Sequence, residues 1–169
     1  MINREIIRNK IVQLTYAYYQ NGSKNIDSAE KELFFSLSKA YDLYNYLLSL
    51  IVAVTNEAQR HLEVAQARAR REGQEEPSHK FAYNRFAMQM GENRMLHDFM
   101  STQKTTWADE PEYIKKLYLQ ITESQIYKDY IESNEDSYDA DREVWRKIYR
   151  TLIENNSDLD TIFEEMSLY

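Results

Sequence analysis

No cysteine occurs in the 169 residues, so the chain can build no disulfide framework, thiolate nucleophile or Cys-rich zinc site. That fits a reducing compartment, and the cytoplasm is the expected location. Backbone punctuation is almost as scarce: Gly22, Gly73 and Gly91 are the only glycines, and Pro77 and Pro111 the only prolines. So little turn chemistry leaves few places for β-hairpins, and neither strand alternation nor an internal repeat is found. The expected fold is therefore all-α, a multi-helix bundle without β-sheet, forming a single helical domain over residues 1–169. Long apolar runs are missing too. The longest uncharged stretch, Leu43 to Asn56, has 14 residues and includes Asn45 and Ser49, short of the roughly 20 that a membrane span needs. It reads as a buried helix of a soluble protein with no membrane partner. The opening Met1-Ile2-Asn3-Arg4-Glu5 also lacks the apolar core of a signal segment.

Catalytic signatures are absent as well. No glycine-rich phosphate loop, nucleophile elbow or pair of catalytic carboxylates can be placed, so no enzyme and no cofactor are expected. The histidines, His61, His79 and His97, are 18 residues apart and have no ligand at a metal-motif spacing. They read as structural or surface groups. The acidic stretch Asp136, Asp139, Asp141 and Glu143 lacks the glycine and spacing of a calcium loop, and is explained by carboxylates facing a helix N-terminus. No metal site is expected.

What the chain does have is helical periodicity and an uneven charge. Residues 1–108 carry 14 basic and 12 acidic side chains, a net of +2; residues 109–169 carry 7 and 16, a net of −9. A nucleic acid would be repelled by the distal third and could approach only the N-terminal part. There, Asn3 is placed to cap a helix running to about Tyr19, with Asn21-Gly22 as its stop. Ile7, Ile11, Leu14 and Tyr18 form its core-facing stripe. Asp27 and Glu30 read as a capping box opening a second helix. From Phe34 a heptad continues through Leu37, Tyr41, Tyr44, Leu48, Ile51, Thr55, Ala58, Leu62 and Ala65, either as one long helix or as two with a bend near Ser36 to Ser38.

The charged segment Arg68 to Lys80 is expected to be a mobile loop. Its arginines, Arg68, Arg70 and Arg71, sit among Glu72, Glu75 and Glu76 and read as a solvated helix end. Phe81 to Met100 has helical spacing and is rich in methionine. Asp109 is placed as the cap of a helix with Pro111 in its first turn and Ile114, Leu117, Tyr118 and Ile121 along its face. Further helices start at Ser124, at Ser137 or Asp139, and at Ser157 or Asp158.

The first helix carries the most informative motif: Arg4-x-x-x-Arg8-x-x-x-Val12-Gln13-Leu14-Thr15-Tyr16. It resembles the opening of the NusB family of bacterial transcription antitermination factors, in which a basic turn precedes Ala-Val-Gln-x-Leu-Tyr. Thr15 stands where the family has Leu, and Ile11 where Ala is usual. The stretches Ala29 to Tyr41 and Phe81 to Trp107 resemble a longer branch of that family with an inserted helical middle. The family's closing segments are not found, so the chain is expected to be the N-terminal portion of a longer NusB-like protein.

The resemblance implies an RNA-binding transcription antitermination factor that acts with ribosomal protein NusE on single-stranded boxA-type RNA, and indirectly with transcribing RNA polymerase. It places RNA contacts on Arg4, Arg8, Gln13 and Tyr16. Arg4 and Arg8, one helical turn apart, would grip phosphates through their guanidinium forks. Tyr16 and Gln13 would add base stacking and edge hydrogen bonds. Read from the residues alone, the two arginines belong to an ordinary solvated face and Tyr16 to the core. The alternative function is a helical protein-interaction module or scaffold, in which the apolar stripe and the Met-rich segment 86–100 offer a groove to a partner helix or to self-association. A membrane-surface helix is disfavoured by the few basic residues and the acidic balance.

Overall fold

The computed structural model describes residues 4–22, 25–166 and 168. The chain is 79% helical, with eight α-helices and no strand among the described residues. They are α1 (Arg4–Gln20), α2 (Ile26–Glu72), α3 (Arg85–Gly91), α4 (Arg94–Ser101), α5 (Pro111–Glu123), α6 (Gln125–Glu132), α7 (Tyr138–Ile148) and α8 (Ser157–Glu165). A 3-10 turn, Trp107–Asp109, precedes α5, and a π-helical turn, Tyr149–Ile153, extends α7. None of these helices is long and apolar enough to cross a membrane.

Short polar side chains start most of the helices by accepting backbone N–H groups that have no partner within the helix. Ser124 accepts from the Tyr127 amide at 3.2 Å to open α6, and Ser137 from the Ala140 amide at 3.1 Å to open α7. The remaining starts differ from the sequence expectation in their capping residue. At α2 it is Asn25, whose Oδ1 accepts from the Ser28 amide, so Asp27 lies inside the first turn. Helix α8 begins at Ser157, one of the two expected starts, and its cap is the preceding Asn156, accepting from the Leu159 amide at 3.0 Å. Asp109 caps no helix; its carboxylate accepts from the Thr106 amide at 2.8 Å and closes the capping box of the 3-10 turn. Asn3 lies outside the described residues.

Two further boundaries move. Helix α2 is a single 47-residue helix, uninterrupted through Ser36 to Ser38. It continues through Arg68 to Arg71, so the loop begins only at Gly73. Phe81 to Met100 is not one helix: Asn84 and Asn93 cap α3 and α4 separately, by accepting from the Ala87 and Leu96 amides.

The chain falls into two compact units: residues 1–45 with 163–169, and residues 46–162. The first contains α1 and the opening part of α2. Its described residues are almost all exposed or half-buried, with only Asn45, Phe163 and Leu168 buried. The N-terminal heptad positions are therefore not core: Phe34 is 63% exposed, and Tyr41 and Tyr44 are also exposed.

The second unit is built around the rest of α2. Tyr46, Leu50, Ile51, Val54, Ala58 and Leu62 are buried and share one broad face of this helix, the apolar stripe that packs on the core. Helix α5 buries Tyr113, Ile114, Leu117 and Ile121; α7 buries Val144, Trp145 and Ile148. Phe81 stacks on Trp145 with ring centroids 5.4 Å apart. The indole N–H of Trp107 donates to the Tyr46 carbonyl at 3.2 Å and to Ser49 Oγ at 2.9 Å, tying the 3-10 turn to α2.

Candidate nucleic-acid interface

Helix α1 ends because Gly22 takes a left-handed conformation, φ +61°, that costs a residue without Cβ little. The Asn21 amide donates to the Ala17 carbonyl at 2.9 Å at this end. No residue of α1 is fully buried. Ile7, Leu14, Ala17 and Tyr18 are half-buried and form its inward side, whereas Ile11, expected in that stripe, is exposed.

Arg4, Arg8, Val12 and Tyr16 follow one another at intervals of four residues and are all exposed. Among the described residues neither arginine forms an ion pair, so both guanidinium groups are available to an external anion. Tyr16 is 67% exposed, against its reading as a core residue from the residues alone. Its hydroxyl accepts from Gln20 Nε2 at 3.0 Å, which steadies the ring along the helix surface and leaves it open to solvent. Arg8 and Tyr16 are two turns apart, about 12 Å of rise, a span that two or three nucleotides of an extended strand cover. Gln13 is exposed as well, roughly 60° round the helix from Tyr16, at the edge of the face.

Two exposed neighbours were not among the residues expected to touch RNA. Tyr19 is exposed and meets Tyr18 edge-on at 5.7 Å, and Val12, 66% exposed, lies between Arg8 and Tyr16. The four-residue ladder from Arg4 to Tyr16 was the signal for Val12; the run Tyr16-Ala17-Tyr18-Tyr19 carried that for Tyr19.

Several other charged groups are paired. Arg68 pairs with Glu72 and Arg70 with Glu76, each at 2.9 Å, while Arg71 Nε donates to the Ala67 carbonyl. That is the neutralised helix end read from the sequence. Asp141 lies in the first turn of α7, as its reading as a helix-start carboxylate has it, and does more than face the helix end. It is 3% exposed, and its carboxylate accepts from the Tyr130 hydroxyl at 2.7 Å, the Arg85 amide at 3.0 Å and Arg85 Nε at 3.3 Å. Burial first, and then this hydrogen bond, push the Tyr130 hydroxyl well above its ordinary pKa. Arg85 also pairs with Asp136, and Lys80 Nζ donates to the carbonyls of Tyr130 and Ser133 at 2.7 and 2.9 Å. This network holds α3, α6 and α7 together and leaves its charges mutually satisfied. His61 Nε2 faces buried Glu57 at 3.1 Å, and its ring lies 4.7 Å from that of Tyr118.

No protein-family model, curated protein or solved structure matches the chain.

Proposed function

We propose that this protein is a NusB-like, non-enzymatic RNA-binding factor of transcription antitermination, acting with ribosomal protein NusE on single-stranded boxA-type RNA. The observation that carries this reading is the exposed face of α1, where Arg4 and Arg8, free of ion pairs among the described residues, and the open ring of Tyr16 coincide with the residues of the family motif. Arginines that hold phosphates and an aromatic ring that stacks a base are the two parts of single-strand recognition. Gln13, at the edge of the face, supplies an amide for a base edge.

Charge sets the strength of the interaction. Residues 1–45 carry only 6 basic side chains against 5 acidic ones, so the electrostatic grip is small and binding by this chain alone is weak. The exposed apolar side chains of the same unit, Phe34, Phe35 and Ile26 among them, favour a protein partner as the source of the remaining affinity.

Titration of boxA-like and scrambled RNA, with and without NusE, tests the reading. The expected result is a preference for the boxA-like sequence that NusE enhances. Arg4→Ala with Arg8→Ala should weaken binding and shallow its salt dependence by about 0.7 in log–log slope for each phosphate that is no longer neutralised. Tyr16→Ala should cost about 1–3 kcal/mol and Tyr16→Phe much less, since the ring does the stacking. Unchanged affinity and slope in the double arginine variant would remove the assignment.

A further inference from the structure

The middle of α2 buries one broad face, and beside that face runs a more open strip. Val52, Ala53, Asn56, Gln59, Arg60 and Glu63 fall on one side of the helix, and each is exposed or half-buried. They form the floor of a groove of about 680 Å³. Met90, Leu96 and Met100 line it from the α3–α4 side, and Trp107, Pro111 and Ile114 from the α5 side. From Val52 to Glu63 the floor rises about 16 Å, three turns of helix. We propose that this groove receives an amphipathic helix of a partner protein, its apolar stripe against Val52 and the methionines and a lysine or arginine at the Glu63 end.

Shape and chemistry point the same way. A helix floor between two helical walls is a three-sided trough that a further helix completes as it would a bundle. Ala53, Gly91 and Ala108 keep parts of the lining low: a Cβ placed on Gly91 would meet only Val52 Cγ1, at 3.9 Å. Backbones can therefore approach closely there. Methionine walls adapt to an incoming apolar stripe without a fixed shape of their own.

The charge of the groove selects the partner. The Arg60 guanidinium is engaged by Glu57, so its positive charge is answered inside the unit. Among the described residues Glu63 forms no ion pair and is exposed. Residues 46–162 as a whole carry 15 basic and 21 acidic side chains. The open field is thus acidic, complementary to a basic helix and repulsive to an acidic one or to a nucleic acid. Such a partner would bind whether or not α1 takes RNA.

The test uses the full chain and a fluorescein-labelled synthetic helix of about four turns, with leucines at helical spacing and lysines elsewhere. A counterpart carries glutamates in place of the lysines. Fluorescence anisotropy should show saturable binding of the lysine peptide, at least tenfold tighter than that of the glutamate peptide. Ala53→Trp, which fills the floor, should weaken it at least tenfold, and Glu63→Lys about threefold. The idea is overturned by no binding of the lysine peptide, by equal affinity for the two peptides, or by an unchanged affinity in a folded Ala53→Trp protein. Should Ala53→Trp fail to fold, Glu63→Lys on the exposed strip decides, and an unchanged affinity there overturns it too.

Discussion

The two units spend their aromatic residues in opposite ways. In residues 46–162 Phe81, Trp107 and Trp145 are buried, stacked and, for Trp107, hydrogen-bonded. In residues 1–45 Tyr16, Tyr19, Phe34 and Phe35 stand in solvent. An aromatic side chain repays its placement either as core, through area removed from water, or as a surface for something else to dock on. The second unit thus buries these rings in its own core, while residues 1–45 leave theirs on the surface.

The largest expected effect that would sharpen this contrast is a pair of truncations. Phe81→Ala should destabilise the protein by about 3–5 kcal/mol, because it opens a cavity against Trp145, whereas Phe35→Ala should change stability by less than about 0.5 kcal/mol. Urea titration followed by circular dichroism reads both. Similar losses at the two positions would erase the distinction between the units.

Next comes the buried polar network of the second unit. Asp141→Ala should cost about 3 kcal/mol, since it takes from the Tyr130 hydroxyl its 2.7 Å carboxylate acceptor, leaving it the longer bond to the Lys80 carbonyl, and leaves Arg85 facing only Asp136. A loss under about 1 kcal/mol in the same titration would mean that the network is no more than surface decoration.

The smallest effect is one of pH. Burial, with lesser contributions from Tyr127 and Glu57, pushes the Tyr118 hydroxyl up from 10.0 to about 12, and Tyr113, Tyr130 and Tyr149 are raised as well. The folded state holds these protons more tightly than the unfolded chain does. Their stabilising contribution is therefore complete below pH 10 and is lost progressively as the pH climbs from about 10 to about 12. Melting temperatures measured across that window should fall, with tyrosinate absorbance rising as the protein unfolds. A flat profile would show that these hydroxyls are not held in the core.

Much of this arrangement is legible in the residues, for local reasons. Ser124 and Ser137 announce their helices because a hydroxyl three residues before an amide needs nothing distant to act as a cap. Asn84, Asn93 and Asn156 do the same work less visibly, and Phe81 to Met100 runs together as one helix unless Asn93 is read as a new start. The heptad from Phe34 to Leu62 has a constant polarity, yet only its later half is buried. Periodicity reports which face is apolar and is silent about whether anything lies over it. Asp141 was beyond reach for the same reason: Arg85 lies 56 residues away, and nothing local to α7 foretells it. At the candidate interface Arg4 and Arg8 are exposed as their spacing suggests. Tyr16 needed the family resemblance to be set outside the core.

The anchoring of Lys80 has a further consequence. Its ammonium holds two carbonyls near the end of α6 and lies 4.5 Å from the centre of the Tyr130 ring, so the stretch that begins at Gly73 is tied down at its far end as well as at its near one. A loop with both ends fixed can change length at little entropic expense. Extra residues between Glu75 and Pro77 should be absorbed there without disturbing the helices on either side. In lineages carrying this chain, that point is where length variation should accumulate, and in the laboratory it is the natural place to splice in a tag.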